Sequence, residues 1–187
     1  MKKIKTTLII IQVLNLLASN LLGPIYATYV KGLGGDLLTA GGAIALNFVV
    51  IGLLIIISGR VADKYHTEKI QLILGYSLAV LAAFGFMIIN SPIQLFIVEA
   101  IAGVSIALSI PAFSGLFSSV VETGKHASSW GDYLGMTYFA AAISAFGSGF
   151  IAQNFGFSAL FITMIIINGL SVVGAIYLYF ADSKHQT

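Results

Sequence analysis

The sequence of 187 residues has no cysteine and very little charge. Without cysteine the chain can form no disulfide, no thiolate metal site and no cysteine nucleophile. Charged residues make up 9% of it, against roughly 25% in an ordinary soluble domain, and a chain so poor in charge is not built for water. Catalytic histidines are also missing from the apolar stretches: His66, His126 and His185 all fall in the charge-bearing segments between them. The stretch FSGLFSS, residues 113 to 119, therefore has no partner base of the kind an intramembrane serine protease needs, and a metalloenzyme would lack ligands. No Gly-rich phosphate loop ending in Gly-Lys-Ser/Thr occurs, and GLGGD is too short to be one. A formal net charge of +2, with no basic stripe interleaved with aromatics, gives no reason to expect nucleic acid. An enzyme, a metal and a cofactor are all unexpected.

What is present is apolar. Hydrophobic residues reach 58% and the mean hydropathy is +1.00. No charge occurs from Thr6 to Val30 or from Leu37 to Ser58. Ile70 to Val98 is also uncharged, with a break at Asn90-Ser91-Pro92, and Ile93 to Val121 is interrupted only by Glu99. Tyr133 to Ala181 is 49 uncharged residues, too long for one membrane span and suited to two, with a break at Gln153-Asn154-Phe155-Gly156. At about 20 apolar residues per spanning helix, the pattern predicts an all-α polytopic membrane protein: residues 1–187 form one domain of six transmembrane helices, at about 7–30, 37–58, 69–89, 93–119, 129–152 and 157–180. Lys2, Lys3, Lys5, Arg60, Lys64, Lys69, Lys125 and Lys184 fall on one side of such a chain and Lys31 alone on the other, which predicts that both termini are cytoplasmic and that the protein sits in the cell membrane. A cleaved signal peptide over residues 1–20 is not expected, because Gln12, Asn15 and Asn20 interrupt the apolar run.

Five of the sixteen charged residues fall in GRVADKYHTEK, residues 59 to 69. Basic residues alone would orient the chain, but Asp63 and Glu68 need another reason. Gly59, Ala62, Asp63 and Lys64, followed by Lys69 before an apolar stretch, resemble the signature loop of the major facilitator superfamily between its second and third helices. His66 stands where the family has a second Gly, and Thr67 and Glu68 where basic residues are usual. TYVKGLGGDLLTAGG resembles that family's first outer loop, ETGKHASSWGDYLGM its entry to helix five, and QNFGFSALF its five–six turn. The resemblance covers residues 1–187, as one half of the usual twelve-helix protein.

The resemblance implies a secondary active transporter of a small solute. The family's two halves are parallel repeats, so two copies of one six-helix chain could fill both positions as a parallel homodimer working by alternating access. Ala141, Ala145 and Gly149, at i+4 spacing, are the candidate dimer interface, since small residues let helices approach closely in lipid; the same stripe could equally pack within one subunit. Helix five lacks the Gly-Pro pair of the family's antiporters. The resemblance makes Gly59, Arg60, Asp63 and Lys64 a cytoplasmic gate, with Arg60 or Lys64 of one copy pairing with Asp132 of the other.

Helices one and four line the family's central cavity, which makes Gln12, Asn15 and Ser19 on helix one, with Glu99 and Gly103 on helix four, the candidate substrate or proton residues. Asn47 and Asn168 read first as interhelical hydrogen bonds. Glu99 is the one acidic or basic side chain well inside a span, about 10 Å along its helix from Pro92, and an intramembrane carboxyl is costly enough to be a functional candidate by default. A protonated, purely structural Glu99 is the competing reading. The family often has an Arg near this point, followed by a Gly four residues on; here Glu99 precedes Gly103 and the charge is reversed. Repeated around a dimer axis, Glu99 would offer a proton or a cation two carboxyls. The alternative functions are a non-transporting scaffold, a subunit that pairs with a different half, and a fragment of a twelve-helix transporter. Pro24 and Pro111 are expected to kink spans one and four.

Overall fold

The computed structural model describes residues 2–183. Lys184 and His185 lie outside the described residues, as does the side chain of Lys2. The described chain is all helix and turn: α1 (Lys2–Asn20), a 3-10 turn (Gly23–Ile25), α2 (Tyr26–Gly32), α3 (Leu37–Tyr65), α4 (Glu68–Ile88), α5 (Pro92–Val120) and α6 (His126–Ser183). Five helical stretches among the described residues are long and apolar enough to cross a membrane, where six spans were expected. The difference is α6, which is read as one stretch although Gly156 breaks it with φ 79 and ψ 172. That backbone conformation is open essentially to glycine alone.

The two arms of α6, residues 126–155 and 157–183, run in opposite directions beside α1. Lys5 Nζ donates to Ser129 Oγ (2.8 Å) and Ser144 Oγ to the Leu17 carbonyl (2.6 Å), so the first arm runs parallel to α1. Asn15 pairs with Asn168, and Gly174 lies against Ile11, so the second arm runs antiparallel. The chain therefore doubles back at Gly156.

The first apolar segment remains one candidate span, Lys3–Gly32, and is interrupted at Pro24, where a kink was expected. Pro24 has no N–H to donate, Leu21 and Ile25 make only short-range bonds to Ala18 and Leu22, and the chain restarts as α2 at Tyr26. In the other direction, α3 does not stop at 58. It starts at Asp36, whose carboxylate accepts from the Thr39 hydroxyl (2.7 Å) and the Thr39 amide (2.8 Å) as an N-cap. These bonds, the hydroxyl first, hold the exposed Asp36 carboxyl below its ordinary range. With Gly59 the lone weak helix former up to Tyr65, the helix runs on until His66 turns it with φ 52 and ψ 45. Gly59 to Lys64 is thus helical, and His66 and Thr67 alone separate α3 from α4.

Apolar burial does little to join helices in lipid, so close approach and hydrogen bonding must do it. Gly75 of α4 meets α5 so closely that a Cβ there would lie 3.0 Å from the Ser105 carbonyl oxygen, and one on Gly103 would lie 3.0 Å from the Asn47 carbonyl oxygen of α3. Two apolar clusters result. One gathers Leu22, Tyr29, Phe86, Leu95 and Phe161; the other gathers Leu8, Leu72, Tyr76, Phe117 and Leu178. Between them along α1, α5 and the second arm of α6 come buried polar side chains, Asn15, Glu99, Ser105 and Asn168 among them. Outward faces of α3 and of the first α6 arm carry bare apolar side chains, up to Leu38 at 82% exposure.

Candidate functional site

Glu99 comes from the second turn of α5, and its backbone carbonyl accepts from Asn47 Nδ2 of α3 (2.8 Å). That bond fixes α3 against α5 at this level, and Gly103 one turn on lets the two backbones touch. The Glu99 residue is only 7% exposed, and its carboxyl lies among the side chains of Asn47 and Tyr26. It lines a cavity of about 230 Å³ inside the helix bundle. Ser19 and Gly23 form part of the wall where α1 ends, Phe86 lies on the α4 side, and Met164 and Asn168 come from the second α6 arm.

The break in the first apolar segment borders the cavity: the 3-10 turn over Gly23–Ile25 puts Gly23, and Tyr26 just after it, into the wall. Tyr26 is 8% exposed, and its buried hydroxyl interacts with the Glu99 carboxyl at the margin of hydrogen-bond geometry. On the opposite wall Asn15 Nδ2 donates to Asn168 Oδ1 (2.9 Å), and Ser105 Oγ donates to the Gly75 carbonyl (2.7 Å). No Lys, Arg or His is among the lining residues.

Of the five residues the sequence proposed for a cavity, Glu99 and Ser19 line this one, and Asn15 meets it through Asn168. Gly103 sits at the α3–α5 contact instead. Gln12 lies deeper along α1, where its Oε1 accepts from the Tyr76 hydroxyl (2.6 Å). The sequence reading did not single out Tyr26 or Ser105. Tyr26 had one signal available, its place two residues after Pro24.

The gate candidates gather at the far end of α3. Gly59 packs opposite Pro111 of α5, while Arg60, Asp63 and Lys64 are exposed on its last turns, with Lys64 over the Tyr65 ring. Asp132 is exposed on the first α6 arm, in a groove of about 550 Å³ with Lys5, Lys125 and Ser129. On that arm the row Ala140, Ser144 and Ser148 is buried within the bundle. The neighbouring stripe is less covered: Ala145 is exposed, and Ala141 and Gly149 are half-buried. Among the described residues no three His, Asp or Glu side chains gather as a metal would require.

The family model described as Major Facilitator Superfamily matches residues 8–187. A curated relative described as "Uncharacterized MFS-type transporter YitZ", from Bacillus subtilis (strain 168), is 25% identical over 154 residues. The alignment covers 82% of this chain and 93% of that relative, which is therefore of similar length.

Proposed function

Because this chain belongs to the major facilitator superfamily, we propose that it is a secondary active transporter of a small solute in the cell membrane, built from two parallel copies that work by alternating access. In this reading the two arms of α6 cross the bilayer separately, so each copy has six spans and both termini are cytoplasmic. Supporting it are the turn at Gly156 and the excess of Lys and Arg at one end of the bundle. The observation that carries transport is Glu99, a carboxyl held at mid-bundle beside an interior cavity at the cost such a group has in lipid. A proton is the coupling ion this residue suits.

Arg60 or Lys64 of one copy would close the cytoplasmic face by pairing with Asp132 of the other; all three residues are exposed. The bare outward faces of α3 and the first α6 arm also suit a scaffold role, or pairing with a different half, in which no solute moves. Uptake by proteoliposomes under an imposed pH gradient tests the choice. Glu99→Gln is expected to abolish the pH-dependent component while the protein still folds. Full retention of that component in the mutant would remove Glu99 from the mechanism, and no uptake by the wild-type protein would favour the scaffold.

A further inference from the structure

Cavity, charge and hydrogen-bonding capacity at Glu99 together specify a ligand. The described walls come from α1, α3, α4, α5 and the second arm of α6 of a single chain, and they leave the cavity partly open. Glu99 is its one acidic or basic lining residue. An ionised carboxyl in such surroundings calls for a positive partner, and none is supplied by the walls. Tyr26 adds a buried hydroxyl with an unused hydrogen-bonding oxygen. Asn168 Oδ1 accepts one bond from Asn15 and, as a carbonyl oxygen, has a second lone pair.

We infer that each chain binds one small primary ammonium ion inside its own helix bundle, the three N–H groups donating to the Glu99 carboxylate, the Tyr26 oxygen and Asn168 Oδ1. A primary ammonium has three donors and no acceptor, and the lining of this one cavity offers acceptors from all three residues. The carbon body lies against Phe86, Met164 and Ile44. About 230 Å³ is below the roughly 300–1,000 Å³ of pockets for drug-sized ligands, so the body is short. The site is internal to one copy, and the two Glu99 carboxyls of a dimer act separately rather than sharing a charge across its axis.

This site rests on the membrane-transporter reading for its purpose but not for its existence, and binding can be measured without flux. The probe is phenethylammonium, titrated calorimetrically into the protein in lipid nanodiscs, with 2-phenylethanol as the uncharged counterpart. Expected are one probe per chain, affinity at least tenfold weaker in Glu99→Gln and severalfold weaker in Tyr26→Phe, and no competition from 2-phenylethanol. Tyr26→Phe should still give a cooperative melt without ligand, so that its loss of affinity reads the missing hydroxyl and not a failure to fold. One probe per two chains, equal binding of 2-phenylethanol, or no saturable binding by folded wild-type protein would each overturn the assignment. If Glu99→Gln fails to fold, unchanged affinity in Tyr26→Phe overturns it instead. Binding that follows expectation without any uptake in proteoliposomes would sustain the site and bring down the transport proposal alone.

Discussion

His66 holds the left-handed conformation that ends α3, at the position where the family pattern has glycine. A side chain there costs about 1 kcal/mol relative to glycine. His66→Gly is therefore expected to raise the thermal midpoint in detergent, and His66→Val to lower it, as judged by loss of helical circular dichroism. A midpoint unmoved by either change would mean that this turn is not strained. At the same scale Glu99 was legible from sequence, because a lone acidic residue in an apolar run has few innocent explanations. Tyr26 was not, because an aromatic residue in such a run looks like any other apolar side chain. Its place in the cavity wall follows from the 3-10 turn at Gly23–Ile25, which a run of apolar residues does not announce. The pairing of Asn15 with Asn168 was hidden for a different reason: the two residues are 153 positions apart.

At the scale of elements, charge placement located the apolar helices well, because lipid tolerates no frequent exception. Their ends were less readable. Nothing in Gly59 to Lys64 breaks a helix strongly, so the charge-rich stretch looked like a loop while its backbone stayed helical. Two element-level consequences can be measured. Gly156→Val places a branched side chain where φ is 79, and should cost about 1–3 kcal/mol. The expected result is poor yield or a lowered melting midpoint; a normal midpoint would show that the arms can turn without this conformation. The second concerns Asp36. Folding lowers the pKa of its carboxyl, so the cap's contribution is present above about pH 4 and is lost as pH falls through the lowered folded value. Between pH 5 and 2 the melting midpoint of wild type should fall more than that of Asp36→Ala. Parallel curves would assign the acid sensitivity elsewhere.

For the whole molecule, the question is how many chains make one functional unit. The family resemblance was readable throughout the sequence, yet no pattern in one chain reports its copy number. Native mass spectrometry from nanodiscs across a range of protein concentrations is expected to show a persistent dimer. Arg60→Asp and Asp132→Arg should each lower the dimer fraction, and the double variant should restore it. A monomer at all concentrations would point to a different partner half, and failure of the double variant would dismiss the Arg60–Asp132 contact.

The neighbours of α1 also govern how the protein can be made. α1 packs chiefly against α6, which is made after α2 to α5. At about 5–20 residues per second, Asn15 reaches the bilayer on the order of ten seconds before Asn168 exists to bind it. During that interval α1 carries two amide side chains, those of Gln12 and Asn15, whose eventual partners on α4 and α6 are still to come, while its third, Asn20, bonds back to the Leu16 carbonyl. The bundle cannot assemble in order of synthesis. α1 must be sheltered, by an insertase or by water at the membrane edge, until α6 arrives.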